Sequence, residues 1–118
     1  MVNLNMIYCN LRQVYGLKLL AGECGLNNEV SWIYYTEDCQ TVEFIRGNEL
    51  IITTGMVTAC DPEKSVIWLS TLIEKLISLN AAGLIINIGD YIPTVPDCII
   101  GYCEEKNFPL FTMPWEVR

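Results

Sequence analysis

The chain has 118 residues, a length typical of one domain, and 52% of them are apolar, so it contains enough material for a hydrophobic core. Its net charge is −7, and its seven basic residues are scattered singly, which argues against a nucleic-acid-binding surface. The longest uncharged stretch, between Lys75 and Asp90, is too short and too polar to span a membrane. The first residues also lack the pattern of a signal peptide, so we expect a cytoplasmic location.

The first half of the chain predicts a helix and three strands. Apolar residues recur at helical spacing from Leu4 to Tyr15, with Asn3 as the N-cap and Gly16 as the terminator. Short apolar or β-branched and aromatic runs then predict strands, and 41–45 fits a short helical turn. The predicted strands are 17–21, 30–35 and 49–55.

The second half alternates strands and helices. Asp61 and Pro62 form a good helix start, and the apolar stripe that follows predicts a helix to about Asn80. A buried strand is predicted at 84–88, a helix from Pro96 to 106 or 107, and a last strand at 108–112 that Pro114 stops. Such alternation is typical of a parallel sheet with crossover helices. We therefore predict a single α/β domain over 1–118, with a mostly parallel sheet flanked by helices, and suspect a fragment of a longer protein.

The chain has six cysteines and no histidine. Without a secretory context, reduced thiols in structural positions are the better interpretation than disulfides. No pair has C-x-x-C spacing, so we predict no metal site. Cys98 and Cys103, five residues apart on a predicted helix, should lie on poorly matched faces.

Residue chemistry argues against an enzyme. Without His, neither a Ser-His nor a Cys-His pair can form, and Lys64 and Lys75 are expected on solvated helix positions rather than as general bases. No glycine-rich phosphate loop is present, so we predict neither catalysis nor a cofactor.

The predicted sheet instead favours a small-molecule site, because ligands of open parallel sheets bind beyond the carboxyl ends of the strands. Hydrogen-bonding residues and glycines stand at these ends and form our candidate ligand-binding set: Glu37, Thr53, Thr54, Gly55, Asn87 and Gly89. Two alternatives stay open. Thr and Gly are also ordinary strand-end and turn residues, and Glu37 with Asp38 could simply cap or solvate a loop.

The chain contains a series of recognisable stretches at 18–23, 25–26, 30–32, Glu37, 47–55, 82–84 and 107–110. In order and spacing, these stretches resemble the N-terminal domain of the purine-catabolism regulator (PucR-like) family of bacterial transcription factors. The likeness covers nearly the whole chain, and its most specific part is the strand ending in Thr-Thr-Gly. Asn48 departs from the pattern, since family members often have a second glycine there, and it should leave the fold unchanged.

The resemblance implies a sensor of a purine-related or other nitrogen metabolite. It also implies that DNA is bound only through a C-terminal helix-turn-helix region absent from this chain. The alternative is a ligand-free module that holds regulator subunits together, for example as a homodimer. Exposed aromatic residues would support this alternative, although each of the candidates is expected to be partly buried: Tyr34, Tyr35, Tyr91 and Trp115.

Overall fold

The structure is a computed structural model that describes residues 2–58 and 60–114, with only the backbone of Thr41. Trp115, one of the aromatic candidates, lies outside the described residues. Three helices and five strands follow one another in the order α1 (Leu4–Leu11), β1 (Lys18–Ala21), β2 (Trp32–Tyr35), β3 (Glu49–Thr53), α2 (Pro62–Ser78), β4 (Gly83–Ile88), α3 (Asp97–Glu105) and β5 (Leu110–Pro114).

The five strands form one sheet in the order β1-β5-β4-β3-β2. β2, β3, β4 and β5 are parallel, whereas β1 pairs antiparallel with β5. The predicted fold class is confirmed. The antiparallel pairing of β1 was not predicted, because a four-residue apolar strand does not encode the direction of its partner.

The larger part of the core lies between the sheet and helices α2 and α3. Alternate residues of β3 and β4, including Ile51, Leu84 and Ile86, pack there against the apolar stripe of α2. Asp61 starts α2 as predicted, since its Oδ1 accepts hydrogen bonds from the backbone N–H groups of Glu63 and Lys64.

The opposite face of the sheet packs on α1. Leu4 is buried against Ile85 and Phe111, and the ring of Tyr8 lies 5.7 Å from that of Phe111. With eight residues, α1 is only about 12 Å long. It is shorter than the predicted helix, although the N–H of Tyr15 still donates to the carbonyl of Leu11.

The end of β5 differs from the sequence prediction. β5 does not stop before Pro114 but includes it, opposite Ile88 of β4. The pairing of β1 with β5 begins at Thr112, so the missing N–H of Pro114 costs no hydrogen bond to β1.

Asn48 has a φ of 69°, a left-handed conformation that Gly or Asn adopts readily, which explains why either residue suits this turn.

Candidate functional site

Glu37 is the centre of a hydrogen-bonded cluster at the carboxyl end of β3. Its Oε2 accepts from the hydroxyl of Thr54 at 2.8 Å and from the backbone N–H of Thr54 at 3.0 Å. Its Oε1 accepts from the hydroxyl of Thr53 at 3.1 Å and from the N–H of Met56 at 3.3 Å. The carboxylate thus ties the end of β2 to the end of β3.

The local backbone explains how Glu37 reaches this place. The N–H of Thr36 donates to the carbonyl of Ile52 at 3.0 Å, which keeps the chain paired one residue beyond β2. Gly55 has a φ of 74°, and a Cβ at this position would overlap the side chain of Ile92. Glycine is therefore required where the chain turns away from β3.

Asn87 occupies the carboxyl half of β4 and is buried. Its Nδ2 donates a hydrogen bond to the hydroxyl of Tyr35 at 3.1 Å. Its Oδ1 is buried and accepts no hydrogen bond from the protein groups of the described residues. A buried carbonyl oxygen of this kind costs free energy when no donor reaches it.

The structure brings four of the six predicted residues together. Glu37, Thr53, Thr54 and Gly55 lie in one hydrogen-bonded cluster. Asn87 does not join them: side chains alternate along strands, so Asn87 shares the α1 face with Ile85, while Thr53 shares the α2 face with Ile51.

Gly89 begins the loop after β4. Its N–H donates to the carbonyl of Ile92 at 3.1 Å, so this donor is already used within the loop. Gly89 is half-buried and contributes a turn rather than a side chain.

Tyr34 and Tyr35 are residues that the sequence interpretation placed incorrectly. Both were expected to be partly buried core, but they are 38% and 62% exposed, and the hydroxyl of Tyr35 accepts a hydrogen bond from Asn87. The aromatic and β-branched residues of β2 predicted a strand, but they do not reveal whether that strand lies at the centre or at the edge of the sheet. Tyr91 is half-buried, as expected.

The α1 face is incompletely covered around Asn87. Ile52 and Met113, its neighbours on this face, are half-buried, and Tyr35 on the edge strand β2 is 62% exposed. The amide of Asn87, on the central strand β4, is thus bonded to an aromatic side chain that is largely open to solvent.

Openings among the described residues lie elsewhere on the molecule. An apolar groove of about 220 Å³ runs beside β2, a polar cleft of about 400 Å³ lies at the amino ends of β3 and β4, and a shallow apolar hollow of about 280 Å³ follows α2. None of the three is lined by the six predicted residues. The sequence interpretation missed the polar cleft, whose only signal was the set of turn residues Asn28, Asn48 and Asn80.

The six thiols are free, and they differ in environment. Cys103 is buried whereas Cys98 is exposed, so the two lie on different faces of α3 as predicted. Burial raises the pKa of the Cys103 thiol from 9.0 to about 12. Burial also raises the pKa of Cys39, with Lys75 opposing and Asp38 reinforcing the shift. Among residues 2–58 and 60–114, no group of three or more His, Cys, Asp or Glu side chains could hold a metal ion.

Residues 8–118 match the model of the purine catabolism regulatory protein-like family. The chain belongs to this family. It is similar to the purine catabolism regulatory protein of Bacillus subtilis (strain 168), with 30% identity over 100 residues. The match covers 85% of this chain and 18% of that relative, so the chain spans about a fifth of the relative's length. Together these findings make it a domain of a regulatory protein family.

A solved structure shares the fold. It contains the CBS and DRTGG domains of the regulatory region of Clostridium perfringens pyrophosphatase, complexed with the activator diadenosine tetraphosphate. The TM-score is 0.61 at 17% identity, over 98% of this chain and 47% of that chain.

Within the part of the chain that the structure describes, no helix has the length and apolar character needed to cross a bilayer.

Proposed function

We propose that this PucR-like domain is a small-molecule sensor, and that its ligand binds at the carboxyl end of the strands on the α1 face. The observation that supports the proposal is the oxygen of Asn87, buried without a donor at the edge where open parallel sheets bind ligands. Burying an unpaired acceptor is costly, and binding sites are where such costs are maintained.

The amide of Asn87 specifies part of the ligand's chemistry. Its Nδ2 is already bonded to Tyr35, so the ligand must supply an N–H or O–H donor to Oδ1. Tyr35 is largely exposed on an edge strand, and its ring can move aside or stack on a planar molecule. Purines and ureides, which are planar or amide-rich and have several N–H groups, fit this requirement.

The other predicted residues take a supporting role in this proposal. The oxygens of Glu37 are occupied by Thr53, Thr54 and Met56, so these residues form a rigid rim rather than direct ligand contacts. Glu37 lies two residues after Tyr35, which is bonded to Asn87. The rim therefore holds the end of β2 in place beside the proposed site.

In this proposal the domain acts within a longer cytoplasmic transcription regulator and is not itself an enzyme. The net charge of −7 supports DNA binding by another part of that regulator. The absence of histidine from the chain supports a non-catalytic role. Purified protein incubated with the compounds that bind it is expected to return them unchanged, and turnover of any of them would contradict this part of the proposal.

A thermal-shift screen against purines, ureides, amino acids and sugars tests the sensor proposal. A ligand at about 100 times its Kd stabilises the folded state by roughly 2.7 kcal/mol. In a domain of this size the melting temperature should rise by roughly ten degrees. We expect the purines or ureides to give the shift.

Matched variants locate the site. Asn87→Val should remove the shift, whereas the same substitution at the exposed Asn10 on α1 should retain it. A flat screen, or a shift that survives in Asn87→Val, would contradict the proposed site.

A further inference from the structure

β2 forms one edge of the sheet, and all four of its side chains are exposed. Trp32 is 64% exposed, Ile33 49%, Tyr34 38% and Tyr35 62%. No other strand of the described residues pairs with the outer side of β2. The strand therefore presents free backbone hydrogen-bonding groups together with apolar side chains on both faces.

Natural edge strands are normally protected by Lys, Pro, a bulge or a covering element. The stretch 30–36 contains neither a charged residue nor a proline, and the pairing of β2 with β3 runs in register without a bulge. An unprotected apolar edge of this kind indicates a surface that is covered in the working protein.

We propose that β2 is a self-association surface, on which β2 of a second copy of this chain pairs antiparallel about a two-fold axis. The same strand is complementary to itself in this arrangement, so no other partner is required. The inference does not depend on ligand binding and concerns a different set of side chains, apart from Tyr35.

The register of such a pair follows from the geometry. In a continuous sheet, directly opposite residues lie on the same face, and a two-fold axis normal to the sheet maps each face onto itself. The axis can therefore pass by Ile33, which then faces Ile33 of the partner subunit. Trp32 in this register lies opposite the partner's Tyr34.

The groove beside β2 accommodates this register. It has a volume of about 220 Å³ and is lined by Tyr34, Val42, Phe44 and Ile45, among others. Tyr34 shares the α2 face with Trp32, because the two are separated by one residue of β2. A partner's Trp32 opposite Tyr34 would enter the groove, and the two-fold axis makes this contact twice.

The available apolar area is of the size that a dimer needs. Four aromatic residues on this side are exposed to between 38% and 73%: Trp32, Tyr34, Tyr35 and Phe44. At 150–250 Å² per buried aromatic side chain, they offer on the order of 500 Å² per protomer. A standard interface buries about 800 Å² per partner, and the strand backbone and Ile33 add to the aromatic contribution.

The net charge of the chain makes the salt dependence of self-association a second test of the proposal. Each copy has a net charge of −7, so two copies repel at long range, while 30–36 at the contact contains no charge. The Debye length falls from about 10 Å at 0.1 M salt to about 3 Å at 1 M. Added salt should therefore strengthen the dimer, whereas it would weaken a complex with a basic partner protein.

Analytical ultracentrifugation of the 118-residue chain tests the proposal, with circular dichroism to confirm that each variant is folded. At about 100 µM protein, where a dimer with a Kd of about 1 µM is almost complete, we expect the wild type to sediment as a dimer. Trp32→Lys places a charge on the edge and should weaken self-association by more than about tenfold.

Ile67→Lys is the matched control, since Ile67 is a 67% exposed apolar residue of α2 outside β2. It should dimerise like the wild type. A wild type that stays monomeric at both about 0.1 M and about 1 M salt would overturn the proposal. A dimer that Ile67→Lys disrupts, or that Trp32→Lys leaves intact, would also overturn it, because the contact would then lie elsewhere.

Discussion

At the scale of single residues, Asn87 combines a buried strand position with an acceptor that has no donor. If the oxygen awaits a ligand, removing it should not harm the ligand-free protein. We predict that Asn87→Val, which suits a buried strand, raises the free energy of unfolding by about 1 kcal/mol. Urea unfolding of the ligand-free protein measures this change.

A decrease in the free energy of unfolding of Asn87→Val would be equally informative. The hydrogen bond that Asn87 gives to Tyr35 ends on a largely exposed side chain, so its loss should cost little. Destabilisation by more than about 1 kcal/mol would mean that the Asn87 oxygen is satisfied in the ligand-free protein, for example by a bound water. The oxygen would then be structural.

The raised pKa of the buried Cys103 thiol leads us to predict that the free energy of unfolding falls at alkaline pH. The thiol has a raised pKa of about 12 in the folded state against 9.0 ordinarily, so between these values the folded state holds a proton that the unfolded state has lost. Stability should fall as the pH rises from about 9 to about 12, by up to about 1.4 kcal/mol per pH unit from this group.

Comparing wild type with Cys103→Ala isolates the contribution of this thiol, because tyrosines and lysines titrate in the same range. The variant will be less stable at pH 8, since Cys103 is fully buried. Its unfolding free energy should nevertheless decline less steeply above pH 9. Parallel curves for the two proteins would contradict the raised pKa.

At the scale of elements, Glu37 joins β2 to the end of β3 through hydrogen bonds with two threonines and two backbone N–H groups. Glu37→Gln replaces one accepting oxygen by an NH₂ group that cannot accept from them. We predict a loss of about 1–3 kcal/mol in unfolding free energy.

Glu43→Gln is the matched control, because Glu43 is an exposed residue of the short turn that precedes β3. Chemical denaturation should show a change within about 0.5 kcal/mol for this variant. Equal effects of the two substitutions would mean that the Glu37 cluster contributes nothing specific to the end of β3.

Local sequence signals predicted most of the elements, for identifiable reasons. Asp61 and Pro62 satisfy the free N–H groups at the start of α2, and the continuous apolar run of β3 matches a strand covered on both faces. The exposure of β2 could not be predicted, because its aromatic and β-branched residues are equally typical of a central strand.

The candidate site was predictable only in part. The rule that parallel strands align their carboxyl ends correctly brought Glu37 to Thr53 and Thr54. It gave no information about which face each side chain occupies, so the separation of Asn87 and its bond to Tyr35 emerged only from the register of β2, β3 and β4.

At the scale of the whole molecule, the two proposed surfaces meet at β2. Tyr35 belongs to the exposed edge and also bonds to Asn87, and Glu37 follows the same strand. In our account, one short strand connects the ligand site with the contact between subunits. Because binding free energies are reciprocal, a ligand that moves Tyr35 would alter subunit association as much as association alters ligand affinity.

The sensor proposal requires that a small molecule binds at the carboxyl end of the strands next to Asn87. A ¹H–¹⁵N NMR titration of the 118-residue chain with the same purines and ureides tests this requirement. We expect chemical-shift changes in the side-chain amide of Asn87 and in the backbone amides of Thr54 and Gly89. Shifts confined to the polar cleft at the opposite end, or no shift with any compound, would contradict the proposal.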